Sequence, residues 1–150
     1  MTQPIKDQDG DTVMGTAGPT NTHGLTDNCY YVCAARLSGM TTDELVKATE
    51  QMQINGGTDV DGIKSLFTQA GLGATVRVCG SVAGVRAAVM SIPGPANAFG
   101  VAFIRLDGSG HMVIAHRGTG GVAFRDYQMD DAGADATADL NTGTSFWVFH

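Results

Sequence analysis

The hydrophobic rhythm of the chain changes near residue 71. Before that point apolar side chains recur at helical spacing, and after it they alternate. The run Cys29-Tyr30-Tyr31-Val32-Cys33-Ala34-Ala35-Arg36-Leu37 predicts a first helix, with N-cap chemistry in Thr26, Asp27 and Asn28 and a stop at Gly39. Thr41 and Glu44 make a capping-box pattern ahead of a second helix carrying Leu45, Ala48 and Met52. Asn55-Gly56-Gly57 breaks the chain. Thr58 or Asp59 then caps a third helix with Val60, Ile63, Leu66, Phe67 and Ala70 on one face, ended by Gly71.

Beyond Gly71 the segment from Ala74 to Cys79 reads as a half-buried strand, and Ser81 to Ile92 as a short helix closed by Pro93-Gly94-Pro95. Three strand-like runs follow, over 98–106, 111–117 and 122–127. Asp107-Gly108-Ser109-Gly110 and Gly118-Thr119-Gly120-Gly121 join them as hairpin turns. Ser145-Phe146-Trp147-Val148-Phe149 predicts a last strand. Helices first and an antiparallel meander second describe an α+β domain over residues 25–150. Residues 1–24 have only Ile5, Val13 and Met14 as scattered apolar positions, and are expected to form a loosely ordered leader or an extended strap.

Composition narrows the function classes. At 150 residues, with 43% hydrophobic and 16% charged positions, the chain is long enough to bury a core without disulfide staples. A net charge of −6 disfavours nucleic acid and anionic membrane as partners, because like charge repels at long range. No apolar run is long enough to span a bilayer, and the N-terminus lacks a signal-peptide pattern. Three cysteines without a CxxC point to reduced thiols and a reducing compartment.

Cys29 is the sharpest candidate for chemistry. A thiol in the first turn of a helix meets the positive end of the macrodipole and backbone N–H groups, which favour the thiolate and stabilise an oxyanion. A plain packing role is the alternative for any single cysteine. Cys33, one turn further in beside Ala34 and Ala35, reads as packing, and Cys79 has no assigned role. The i,i+4 pair Cys29 and Cys33 lacks further ligands, so neither metal nor cofactor is expected.

His111 opens a strand after a Gly-Ser-Gly turn and is the expected general base. His116 lies five residues on and points to the other face, so the two are not expected to share a site. His23, in the leader, and His150, at the end of the sequence, are weaker candidates. Asp126 ends the strand that hairpins back on His111, and a carboxylate there fixes the imidazole tautomer. Gln128 falls on the same side of that strand. The chemistry such a set performs is acyl transfer: Cys29 is deprotonated by His111, attacks an amide carbon, and water releases the acyl-enzyme.

A cysteine at a helix start, a histidine at a strand start and an acid on its hairpin partner resemble a papain-like site. Asp27-Asn28-Cys29, the helix ending Leu37-Ser38-Gly39, and the stretch from Gly57-Thr58-Asp59-Val60-Asp61-Gly62-Ile63 to Ala70-Gly71-Leu72 resemble double-glycine, bacteriocin-processing peptidase domains. So do Ser109-Gly110-His111-Met112-Val113 and Gly121-Val122-Ala123-Phe124-Arg125-Asp126. Asn28-Cys29, Gly110-His111 and Asp126-Tyr127-Gln128 are equally similar to papain-fold toxins that deamidate glutamine. The chain departs from the peptidases in having Asn28-Cys29-Tyr30 for Asp-Cys-Gly and Asp126-Tyr127 for Asp-Pro. The peptidase glutamine upstream of the nucleophile has no obvious equivalent.

The resemblance implies a papain-like fold, with N-terminal helices packed on an antiparallel sheet. It implies Cys29, His111 and Asp126 as catalytic residues, with Asn21 or Asn28 as second oxyanion donor and Gln128 beside the substrate. The implied activity is that of a cysteine protease, with a glutamine deamidase and an inactive peptide-binding domain as alternatives. The implied partners are a protein or peptide substrate and a cognate immunity protein. The implied setting is a bacterial toxin or effector, delivered without a classical signal peptide into a reducing cytoplasm.

Overall fold

A computed structural model describes residues 4–6, 12–17, 28–49, 59–128 and 132–150. Within the segment expected as a leader, β1 (Pro4–Lys6) pairs antiparallel with β2 (Thr12–Ala17). The first helix, α1 (Cys29–Ser38), starts and stops where the pattern places it. Gly39 takes the left-handed conformation, φ 75°, and returns its N–H to the helix end. Next come α2 (Thr42–Thr49) and α3 (Val60–Gln69). The capping box forms: the Thr41 amide donates to Glu44 Oε1 at 3.0 Å, and the Glu44 amide to Thr41 Oγ1 at 3.2 Å. Of the two candidate caps for α3, Asp59 fills the role, accepting from the Gly62 amide at 2.8 Å.

The second half contributes β3 (Val76–Cys79), α4 (Val82–Ser91), β4 (Ala98–Arg105), β5 (Gly110–Gly118), β6 (Gly121–Asp126), β7 (Ala134–Asp135), α5 (Thr137–Leu140) and β8 (Gly143–Phe149). Helices and an antiparallel sheet make the molecule α+β. The short β7 and α5 arise in the Asp/Ala/Gly/Thr stretch ahead of the last strand, too brief to leave a periodic trace.

The sheet is not a plain meander. Its order is β3-β8-β4-β5-β6-β7, with the last strand inserted between β3 and β4. Burial on both faces explains the central place of β8. Phe146 and Val148 enter one apolar cluster, while Phe149 and Trp147 pack into the other. The clusters lie on opposite faces. Val85 and Val89 of α4 pack with Val101, Val113, Ala115 and Phe124. Tyr31, Val32, Leu45, Leu66 and Phe67 of the first three helices pack with Ala102, Met112 and Ile114. The alternation of β4 and β5 therefore serves two helical layers rather than a core and a solvent side. Beside the sheet, Arg117 ties down the loop after α4. Its guanidinium donates to the carbonyls of Val89, Ile92, Gly94 and Ala96 at 2.6–3.1 Å.

Candidate active site

Cys29 is the first residue of α1 and is half-buried. The helix is nucleated from Asn28, whose carbonyl accepts from the Tyr31 and Val32 amides at 2.9 and 3.1 Å. The Asn28 side chain does not cap the helix. Its Oδ1 accepts instead from Gln128 Nε2, a hundred residues away in the chain.

The second component comes from the hairpin of β5 and β6. Gly121, at φ 116°, permits the turn that pairs them. Ile114 lies opposite Arg125, so continuing the register sets Val113 opposite Asp126 and makes His111 and Asp126 diagonal neighbours. Their side chains meet: His111 Nε2 is 2.7 Å from Asp126 Oδ2. His111 and Cys29 border one cavity, close enough for the sulfur to raise the His111 pKa, and since Nε2 is committed to Asp126, Nδ1 is the nitrogen left to face the sulfur. The other carboxylate oxygen, Oδ1, accepts from the Gln128 amide at 2.9 Å.

These contacts close a ring of constraints. Asp126 holds His111 and the Gln128 backbone, the Gln128 side chain holds Asn28, and Asn28 precedes Cys29. Burial alone would lower the His111 pKa. The hydrogen bond to Asp126, the close approach of Cys29 and the charges of both outweigh it and bring it up to about 10. Burial likewise pushes Asp126 up, but hydrogen bonds from His111 and the Gln128 amide hold its carboxyl below the ordinary value. At neutral pH the imidazole is thus protonated between two groups that favour its charge.

Cys29 and His111 open onto a cavity of about 300 Å³, walled by Tyr30, Ile63, Phe103, Met112 and Trp147. Sequence reading missed this wall, since its residues come from five elements and look like ordinary core. It also missed an ion pair at the rim. Arg105 donates to both Asp139 oxygens at 2.8 and 2.6 Å and stacks over Phe103, 5.3 Å from the ring centroid. Phe103 meets the His111 ring edge to face at 5.9 Å. Arg105 and Asp139 are 34 positions apart, and no pattern in the sequence links them.

The other candidates fall as follows. Asn21 and His23 lie outside the described residues. Asn28 and Gln128 are both buried and face each other; neither lines the cavity, so a substrate-contacting place for them is not what the side chains occupy. Cys33 is buried in the core, and burial, then the charges of Cys29 and Asp126, push its thiol well above the usual range. Burial raises Cys79 too.

His116 bonds the Tyr127 hydroxyl at 2.8 Å and does not share the His111 site. Alternation is not what separates them from α1. Met112 and Ile114 pack on the α1 face, so His116 has the parity of that face, while His111 reaches Cys29 from the strand's mouth. Distance along α1 is the separating factor. No group of three or more His, Cys, Asp or Glu suited to a metal exists among the described residues, and none of their helices is long and apolar enough to cross a membrane.

The arrangement can generate a thiolate, protonate a leaving group and hold an apolar side chain beside both. No protein-family model matches this sequence, and no curated protein matches it, so its chemistry is read from Cys29, His111 and Asp126 themselves.

Proposed function

We propose that this protein is a papain-like cysteine hydrolase that breaks amide bonds, with a peptide bond as the favoured substrate. The observation carrying this reading is that Cys29 and His111 stand together at the mouth of a largely apolar cavity, with Asp126 hydrogen-bonded to the imidazole. The Cys29 thiolate attacks the carbonyl carbon, and the first-turn backbone N–H groups of α1 stand where an oxyanion develops. The His111 imidazolium gives its proton to the departing nitrogen as the C–N bond breaks. His111, now neutral, takes a proton from water, whose oxygen displaces the thiolate from the thioester. Asp126 keeps the imidazole in the tautomer that presents Nδ1 to the sulfur.

The same steps release ammonia from a glutamine side chain, so the triad serves a deamidase equally. The sequence from Gly57 to Leu72 resembles the processing peptidases, which favours proteolysis. Resemblance to papain-fold toxins makes a bacterial toxin or effector domain, restrained by an immunity protein, the setting we propose.

The test has two parts. Iodoacetamide near neutral pH is expected to alkylate Cys29 faster than an exposed model thiol; a rate no faster defeats the hydrolase reading and leaves a peptide-binding domain. Incubation with target-cell lysate, read by mass, then separates the activities. New peptide termini mark proteolysis, and a gain of about one dalton at glutamine marks deamidation. Cys29→Ala is expected to abolish either.

A further inference from the structure

Behind His111 and Asp126, on the face of the sheet that carries α4, lies a second ion pair. Phe103, Val113 and Phe124 pack in the apolar cluster of that face, and Phe103 stands opposite His111 in the register of β4 and β5. Strand alternation therefore turns Phe103, Arg105, His111 and Asp126 to one side. The short α5 brings Asp139 to the same corner. Leu140 is buried in that cluster, and the Ala136 amide donates to the Phe124 carbonyl of β6 at 2.9 Å. We propose that Arg105, with Asp139 as its counter-ion, is a positioning residue that orients the His111 ring through Phe103 and balances the charge around it. The role rests on the hydrolase reading of Cys29, His111 and Asp126.

Arg105 is held from several sides. Its guanidinium donates to both Asp139 oxygens, at 2.8 and 2.6 Å, and to Ser109 Oγ at 3.2 Å. Its backbone closes the turn into β5: the amide donates to the Ser109 carbonyl at 2.8 Å, and the carbonyl accepts from the Gly108 amide at 2.9 Å. The cation lies over Phe103 at 5.3 Å, and Phe103 meets the His111 ring at 82° and 5.9 Å. A ring pinned by a planar cation has little freedom to tilt against the imidazole it abuts.

Charge links the two pairs as well. The titratable and charged groups around His111 are Cys29 from α1, Asp126 from β6, Arg105 from β4 and Asp139 from α5, with Asp59 on the same cavity and Asp107 in the turn. The hydrogen bond from Arg105, against partial burial, holds the Asp139 carboxyl below its ordinary value, and the charges of Arg105 and His111 add to it. Against burial, Asp126 is lowered by the hydrogen bonds from His111 and the Gln128 amide, then by the charges of His111 and Arg105. Removing either member of the Arg105–Asp139 pair leaves the other uncompensated beside the imidazole.

The test uses the full chain and two readouts of His111: its titration by NMR, which needs no turnover, and the alkaline limb of kcat/KM on an amide substrate. Asp139→Asn leaves the Arg105 charge unbalanced and is expected to move both to lower pH by about half a unit or more. Arg105→Met leaves Asp139 unbalanced and is expected to move both to higher pH. The double variant is expected to return to the wild-type value. Arg105→Lys keeps the charge but loses the planar stack. It is expected to leave the limb in place and lower kcat by about fivefold to fiftyfold, with KM little changed. A residue that only braces the fold would lower the urea midpoint in these variants and move no limb. Should Arg105→Met fail to fold, Asp139→Asn and Arg105→Lys carry the test alone. Shifts in one common direction, no shift in either charge variant, or full kcat in Arg105→Lys would each overturn the role. Opposite shifts in a protein whose wild type hydrolyses no amide would uphold the coupling to His111 and defeat the hydrolase reading instead.

Discussion

The two ends of α1 present a histidine of β5 in different company. At the N-terminal end His111 stands between a thiol and a carboxylate, which together hold its proton. At the C-terminal end His116 meets a phenol and lies near a guanidinium, beside a cavity whose lining includes no Asp or Glu. One helix and one strand thus place two histidines beside two cavities of similar size, one bordered by a thiol and one not. The comparison teaches that partner chemistry, rather than residue type, decides whether a histidine's proton is held in place. It also shows why two histidines on one strand need not compete, since five strand residues separate them by roughly 16 Å.

The largest effect expected is a contrast between these ends. His111→Ala should lower amide hydrolysis by about a thousandfold or more, as loss of a triad member does. His116→Ala should leave the rate within a fewfold, provided the variant unfolds cooperatively. Comparable losses from both, measured as kcat/KM on one amide substrate, would erase the distinction drawn here.

A smaller effect sharpens the role of Asp126. Asp126→Asn should cost about a hundredfold or more in kcat, because the asparagine no longer holds the His111 charge or selects its tautomer. The His111 pKa, about 10 against an ordinary 6.5, is raised in part by Asp126, so the alkaline limb of the pH–rate profile should move to lower pH in the variant. Stability follows the same signs. The raised His111 contributes stability fully below about pH 6.5 and loses it as pH climbs toward 10. The lowered Asp126 contributes above its ordinary value of 3.8 and loses that as pH falls through its folded value. Urea unfolding across pH, wild type against Asp126→Asn, checks both limbs.

The smallest effect concerns the brace behind the site. Gln128→Ala removes the contact to Asn28 inside a buried setting and should cost about 1–3 kcal/mol by urea unfolding, with a modest fall in kcat as Cys29 loosens. A variant as stable and as active as wild type would show that Asn28 is held by its neighbours alone.

Much of the local structure was legible in the chain. The capping box at Thr41 and Glu44, the cap at Asp59, the glycine stop at Gly39 and the turn between β5 and β6 all depend on residues within four positions of one another. The meeting of His111 with Asp126 was legible too, because a tight hairpin converts sequence spacing into register. The insertion of β8 between β3 and β4, the wall of the cavity and the pairing of Arg105 with Asp139 were not, since each joins segments far apart in sequence. No period encodes which distant element will bury a given face.

The sequence by itself determined which residues carry reactive groups and which short elements present them, through capping, turn chemistry and hydrophobic period. Only the tertiary structure decided their company. Packing set Asn28 against Gln128 instead of toward a substrate, placed His116 on the α1 face but at its far end, and left a second cavity there. Those outcomes depend on how two layers of helices share one sheet, a matter of shape and burial that the order of residues does not express locally.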